Sequence, residues 1–260
     1  MSLRLCVLGS GSTGNCLFLS GGNTNILIDQ GLPLKRVERC LEVLRVDPKS
    51  VALLVTHTHS DHISGVAPFA EKYGSEVYCS AFVRSALAAR TKNARVKPFL
   101  TGDFFVGDLT VAPFEVPHDV PCVGYSVYHA GKKVSIATDL GQMPAALVSA
   151  LGDSELILIE SNHDTALLAS NRHYPPYLKR RILSGHGHLS NDACADCLVE
   201  FAKSGVRQIV LGHLSKENNY PELAFETAKR RLSRDGFYEG RDIRVDVAAP
   251  DRMSALFEVS

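Results

Sequence analysis

The stretch His57-Thr58-His59-Ser60-Asp61-His62 constrains this chain more than any other, because it places four metal-binding side chains in six positions. It directly follows Val51–Val55, an apolar run that predicts a buried strand. His57 and His59 alternate, so their side chains point to the same side of an extended backbone. Asp61 and His62 then fall on the turn into the next helix. Imidazoles and a carboxylate in this arrangement suit zinc, manganese or iron.

Other strand ends carry side chains of the same kind. Four residues follow apolar, strand-like runs elsewhere in the chain: Asp29, His118, Asp139 and His213. In α/β proteins, binding sites are commonly built at the ends of strands. Any one of the four alone would be read as a capping aspartate or a hydrogen-bonded core histidine. The recurrence of one pattern indicates that they belong to a common site.

The distribution of apolar residues predicts the fold class. Short apolar strands alternate with stretches of helical spacing such as Leu34–Leu44, which is typical of a layered α/β architecture. No low-complexity tract or linker divides the chain. We therefore expect one domain over residues 1–260.

The order of these residues resembles the five motifs of the metallo-β-lactamase superfamily. Further stretches are similar to the YycJ/WalJ group of that superfamily, which is related to RNase Z and RNase J: residues 9–15, 160–164, 187–191 and 212–219. The resemblance implies a four-layer αββα sandwich, the metallo-β-lactamase fold. It also implies a metal-dependent hydrolase.

The resemblance further implies two divalent metal ions, which could be zinc, manganese or iron. One ion would be held by three histidines: His57, His59 and His118. The other would be held by Asp61, His62 and His213, with Asp139 bridging the two ions. Asp29 would orient the histidine segment from behind. Glu160 and His163, in residues 160–164, are expected to support the site from the end of their strand.

This site predicts the reaction class. Two divalent ions, two carboxylates and a bridging hydroxide sum to a charge of about +1, which favours an anionic substrate. We expect a phosphodiesterase or 5′-exonuclease acting on nucleotides or on single-stranded DNA or RNA ends. Asp61 would act as base on the bridging water, and His188 would contact the phosphate or leaving group. Two alternatives are an acyl hydrolase (thioester, lactone or β-lactam) and a non-catalytic metal-binding regulator.

Composition excludes some classes of protein, and one segment is left with two interpretations. Lysine plus arginine equals aspartate plus glutamate, 28 against 28, so the strongly basic footprint typical of gripping long duplex DNA is absent. No apolar run reaches the roughly 20 residues of a membrane helix, and no secretory signal is evident, so we expect a cytoplasmic protein without a membrane partner. Residues 9–15 lack the Gly-Lys-Ser/Thr ending of a P-loop. They are interpreted as a tight turn beside the site or, alternatively, as an anion-binding nest.

Overall fold

A computed structural model describes residues 2–91 and 94–259 of the chain. Within them the chain forms two compact units. Unit 1 comprises residues 2–91, 94–113, 127–132 and 251–259, and unit 2 comprises residues 114–126 and 133–250. The single domain expected over residues 1–260 stays a prediction.

The strands and helices are short and alternate along the chain. The strands are β1 (Leu3–Gly9), β2 (Cys16–Gly21), β3 (Thr24–Ile28), β4 (Val51–Val55), β5 (Glu76–Ser80), β6 (Arg95–Phe99), β7 (Phe104–Val106), β8 (Leu109–Glu115), β9 (Val123–His129), β10 (Lys132–Ala137), β11 (Leu156–Glu160), β12 (Gln208–Gly212), β13 (Arg244–Val247) and β14 (Phe257–Val259). The helices are α1 (Leu34–Leu44), α2 (Ser60–Ile63), α3 (Val66–Tyr73), α4 (Ala81–Arg90), α5 (Ala145–Leu151), α6 (Thr165–Ser170), α7 (Pro176–Ile182), α8 (Asn191–Ser204) and α9 (Pro221–Arg234), with a 3-10 turn at Pro48–Ser50.

The first sheet has seven strands in the order β14-β1-β2-β3-β4-β5-β6. Strands β3 to β6 run parallel to one another. Parallel strands are covered on both faces, which accounts for the uninterrupted apolar sequence of β4, whose Leu53, Leu54 and Val55 are buried. Because β3 to β6 are parallel, their carboxyl ends lie at one edge of the sheet.

The second sheet also has seven strands, in the order β13-β12-β11-β10-β9-β8-β7. Strands β10 to β13 are parallel, so their carboxyl ends share an edge in the same way. The apolar core of unit 2 lies between these strands and α8, which buries Leu198 and Phe201. Each unit therefore presents a row of parallel strand ends on which polar side chains can be placed.

Most elements agree with the sequence prediction. Helix α1 and strand β4 have the predicted limits, whereas β5, β13 and β14 were not predicted. Strand β5 begins and ends with polar residues, Glu76 and Ser80, and β14 is a three-residue strand near the C-terminus that pairs with β1 near the N-terminus. In the part of the chain described, no helix is both long and apolar enough to cross a membrane.

Candidate metal centre

Three of the predicted site residues leave their strands through a left-handed backbone conformation. Asp29 follows β3 with φ 59°, Asp139 follows β10 with φ 60°, and His213 follows β12 with φ 54°. Positive φ is uncommon outside glycine, although Asp and His tolerate it better than most residues. Such strain costs about 1–3 kcal/mol per residue and clusters at functional sites. The sharp turn ends each strand and brings the polar side chain to the edge of the sheet.

In unit 1, Asp29 organises the histidine segment. Its Oδ1 accepts from the backbone N–H of Thr56 at 2.8 Å, and its Oδ2 accepts from the Thr56 hydroxyl at 2.8 Å. The same Oδ2 lies 2.7 Å from Nδ1 of His62. Asp29 is 4% exposed and His62 is fully buried, so water does not compete for these contacts. One carboxylate thus holds both ends of residues 56–62.

These contacts also determine which nitrogen of each ring carries the proton. The Thr56 hydroxyl donates to Asp29, so it must accept from Nδ1 of His57, which lies 2.9 Å away. His62 donates from Nδ1 to Asp29. In both rings Nε2 then carries the lone pair, the form in which an imidazole coordinates a metal.

The turn at residues 9–15 lies beside the same segment. The Asn15 side-chain N–H group lies 2.9 Å from Nε2 of His62 and 3.3 Å from Oδ2 of Asp61. Its backbone N–H donates to the carbonyl of Asp61 at 2.8 Å. Gly31 packs so closely that a Cβ there would lie 1.6 Å from the Asp61 carbonyl oxygen, so a side chain at this position would displace the segment.

In unit 2, Glu160 has the organising position. This residue ends β11, is fully buried and accepts from the backbone N–H of Leu189 at 2.7 Å through Oε1. Its Oε2 accepts from the backbone N–H of Asp139 at 2.8 Å. The same oxygen lies 2.6 Å from Nδ1 of His213 and 3.2 Å from Nδ1 of His188.

Four donor residues of unit 2 form a cluster. Their ligand atoms lie within 4.8 Å of one another: Asp139, Glu160, His188 and His213. His118 approaches the same group, with its Nε2 4.0 Å from Oδ1 of Asp139 and its ring centroid 5.5 Å from that of His188. The backbone N–H of Gly141 donates to the carbonyl of Pro117, which ties the two ligand loops together.

Burial and charge act in opposite directions on the titratable groups of this cluster. Burial lowers the pKa of His118, because a charged imidazole loses its hydration there. Burial also acts to lower the pKa of His188, but the charge and hydrogen bond of Glu160 outweigh it, and the net shift is upward. For Glu160 burial acts to raise the pKa, and the two neighbouring histidines hold it well below its ordinary range. The attraction between them thus favours the charged forms of Glu160 and His188.

His163 is not one of the four donors of this cluster. It is 1% exposed, and neither of its ring nitrogens hydrogen-bonds to a described residue. Burial lowers its pKa to about 4, so the ring is neutral near pH 7. Its backbone carbonyl accepts from Asn191, which places it at the entry to α8.

Two residues of the network were not predicted from the sequence. Thr56 and Asn15 contact the histidine segment, yet threonine and asparagine at the end of a strand or in a turn are commonplace. The position of Thr56, between an apolar strand and the first histidine, is the one local signal that could have identified it.

The residues present fit a divalent metal. In unit 1, two imidazoles carry the lone pair on Nε2 and lie close together, with ring centroids of His57 and His62 4.2 Å apart. In unit 2, a carboxylate and two imidazoles are held by a buried carboxylate, the arrangement that typically lies behind metal-binding histidines. Imidazole and carboxylate donors suit zinc, manganese and iron. Divalent metal binding follows from this donor chemistry.

The fold and these donors define a class of metal-dependent hydrolase, and comparison with known proteins identifies it. The family described as Beta-lactamase superfamily domain matches residues 24–214, so the chain belongs to the β-lactamase superfamily. Its predicted α/β fold class, the metallo-β-lactamase fold, is confirmed by a solved structure. The metallo-β-lactamase fold protein YhfI from Bacillus subtilis matches with a TM-score of 0.76 at 17% identity, over 100% of both chains.

Two curated relatives narrow the resemblance further. The chain is 33% identical to Exodeoxyribonuclease WalJ of Streptococcus pneumoniae serotype 2, over 100% of this chain and 99% of that protein. It is also 33% identical to Exodeoxyribonuclease YycJ of Bacillus anthracis, over 96% of this chain and 97% of that protein. The predicted similarity to the YycJ/WalJ group is confirmed.

Proposed function

We propose that this protein is a metal-dependent exodeoxyribonuclease that hydrolyses phosphodiester bonds at DNA ends. The observation that carries the proposal is the full-length similarity to two exodeoxyribonucleases, at 33% identity over nearly all of each chain. The donor groups of unit 1 and unit 2 support it, because each is built around a buried carboxylate that orients two imidazoles.

We propose the metal ligands that the superfamily resemblance implies. Two divalent ions would take seven ligands: His57, His59, Asp61, His62, His118, Asp139 and His213. Bound there, such ions would supply an activated water and a positive charge of about +1 for a phosphodiester. Asp29 and Glu160 would orient the ligands, as their hydrogen bonds to His62 and His213 suggest. His163 would support the site only indirectly, since its ring nitrogens hydrogen-bond to no described residue.

Two residues would act on the substrate. Asp61, on α2, would accept the proton of the attacking water. His188 would contact the phosphate or the leaving oxygen, with Glu160 orienting its ring from Nδ1. The cytoplasmic location expected from the sequence stays a prediction.

One experiment tests this proposal. The protein loaded with Mn²⁺ or Zn²⁺ is incubated with DNA labelled at the 5′ or the 3′ end, a chromogenic phosphodiester, a lactone and a thioester. We expect early release of the 5′ label, loss of activity with a chelator, and recovery when either metal is restored. His59→Ala should abolish the activity, whereas His173→Ala, a change at an exposed histidine between α6 and α7, should not.

The other outcomes distinguish the alternatives. Turnover of the lactone or thioester without any cleavage of DNA would replace the nuclease by an acyl hydrolase. Binding of metal without turnover of any substrate would favour the non-catalytic regulator.

A further inference from the structure

Three large apolar side chains of unit 1 are unusually exposed. Phe82, Leu100 and Phe105 are 75%, 81% and 72% exposed, more than any other large apolar residue in the described part of the chain. Isolated exposed apolar residues are ordinary, but a group of them marks an interaction site. These three lie within 24 residues of one another in the sequence.

The sheet places the first two at a common edge. Phe82 follows β5 and Leu100 follows β6, and these strands are paired in parallel with Ser80 opposite Phe99. Phe105 lies on β7, next to Phe104, whose ring stacks on that of Phe99 with centroids 4.8 Å apart. Phe104 also stacks on Tyr78 at 5.5 Å. Phe105 thus lies next to a stack of three aromatic rings.

The same region concentrates positive charge. Residues 82–105, which span the three exposed apolar residues, contain five lysines and arginines and one acidic residue, Asp103, although the protein as a whole has a formal net charge of +0. Arg84 on α4 and Arg95 on β6 are exposed. Lys97 is paired with Glu76 at 2.6 Å, so its charge is partly compensated. We call the surface formed by Phe82, Arg84, Leu100 and Phe105 the basic aromatic edge; Arg95 begins β6 and lies at the other end of that strand.

Phe82 and Leu100 of the basic aromatic edge lie at the same end of the parallel strands as the histidine segment. The carboxyl ends of β3 and β4 lead to Asp29 and His57, and those of the parallel strands β5 and β6 lead to Phe82 and Leu100. Neighbouring strands are about 4.8 Å apart, so β6 ends about 10 Å from β4. That distance corresponds to about three nucleotides at 3.4 Å per nucleotide.

We propose that the basic aromatic edge binds the single DNA strand next to the end that is being hydrolysed. This inference rests on the proposed exodeoxyribonuclease function. Phe82 and Phe105 offer faces on which bases stack, Leu100 adds apolar contact, and Arg84 pairs with a phosphate. Aromatic rings combined with positive charge are the general means of binding single strands without sequence preference.

Binding of a phosphorothioate oligonucleotide that resists cleavage tests this proposal. Its affinity for the metal-loaded protein is measured by fluorescence anisotropy at several salt concentrations. Phe82→Ala and Phe105→Ala should each weaken binding about 5- to 100-fold, the contribution of one stacked base, with the salt dependence unchanged. Arg84→Ala should reduce the slope of log affinity against log salt by about 0.7, because one phosphate is no longer neutralised.

Matched changes elsewhere in unit 1 serve as controls. Val43→Ala removes an apolar side chain that is 67% exposed on α1, and Arg39→Ala removes a charge from the same helix. Both should leave affinity and salt slope as in the wild type. If Phe82→Ala and Phe105→Ala bind the oligonucleotide as tightly as Val43→Ala does, the basic aromatic edge is not a DNA surface.

Binding and cleavage of DNA by the wild type distinguish a failure of this inference from a failure of the proposed function. If the wild type neither binds nor cleaves DNA, the proposed function fails. If it cleaves DNA while the edge variants bind normally, only the inference fails. Should Phe82→Ala instead change the sedimentation of the protein and leave DNA binding intact, the edge would be a contact between copies of the chain, and the proposal would be overturned.

Discussion

Asp29 in unit 1 and Glu160 in unit 2 both position histidine rings, but they do so through different contacts. Each is a buried carboxylate at the end of a parallel strand, and each lies within 2.7 Å of a histidine Nδ1. Asp29 reaches its second histidine through the hydroxyl of Thr56, whereas Glu160 contacts both of its histidines directly. Asp29 acts on one short continuous segment, while Glu160 holds groups from separate parts of the chain.

The two groups of donors therefore differ in how much their arrangement depends on the buried carboxylate. The segment at residues 56–62 is also positioned by backbone contacts, such as Asn15 with Asp61 and Gln30 with His62. The donors of unit 2 are far apart in sequence, so their common contact with Glu160 contributes more to their arrangement. Loss of Glu160 should therefore be more damaging than loss of Asp29.

The largest expected effect is that of Glu160→Gln. In the wild type, Oε2 of Glu160 accepts from Asp139, His188 and His213. Glutamine replaces one carboxylate oxygen by an amide N–H group, which cannot accept a hydrogen bond. We expect metal affinity to fall about 100-fold, the upper end of the effect of such supporting residues. Competition with a chelating dye measures it, and Glu155→Gln, at a carboxylate that binds the Lys133 backbone, is the control. An affinity within about twofold of wild type would contradict the prediction.

Asp29→Asn should cost less, about 30-fold in metal affinity. Asparagine retains an acceptor for the Thr56 backbone but loses the oxygen that serves the Thr56 hydroxyl and His62. The same dye competition applies, with Asp47→Asn as a control at an exposed aspartate of unit 1. A larger loss of metal affinity in Asp29→Asn than in Glu160→Gln would contradict the expected difference between the two units.

His163, which lies in unit 2 with Glu160, makes the stability of the protein depend on pH. Burial lowers its pKa to about 4 from an ordinary 6.5, so the unfolded chain binds more protons than the folded one between these values. Stability is therefore lost as the pH falls through this window. Relative to His163→Met, the metal-free wild type should lose about 2 kcal/mol more between about pH 6.5 and 4.5. Urea unfolding at the two pH values measures this, and parallel losses in both proteins would refute it.

Thr56→Val should have the smallest effect, about 5-fold in metal affinity, because it removes only the hydroxyl between Asp29 and His57. Thr56→Ser retains the hydroxyl and should bind metal as the wild type does. Equal behaviour of the valine and serine variants would show that His57 does not depend on this hydroxyl.

The sequence allowed most of the fold to be predicted, but less of the network around the site. Helical periodicity located α1 and an uninterrupted apolar run located β4, whereas α7, which buries none of its residues, left no apolar signal. The histidine segment was evident because four donors fall in six positions. Glu160 was predicted only as a supporting residue, and nothing in its local sequence indicated that it would contact four groups.

The identity of the donors and their placement after apolar strands could be read from the sequence, since each donor directly follows its own strand in the chain. Which carboxylate faces which histidine was decided by the tertiary structure alone. Asp29 meets His62 because β3 pairs with β4, and Glu160 meets His213 because β11 pairs with β12, where Glu160 lies opposite Gly212. Such contacts join residues 33 and 53 positions apart, and only the order of strands in a sheet brings them within hydrogen-bond distance.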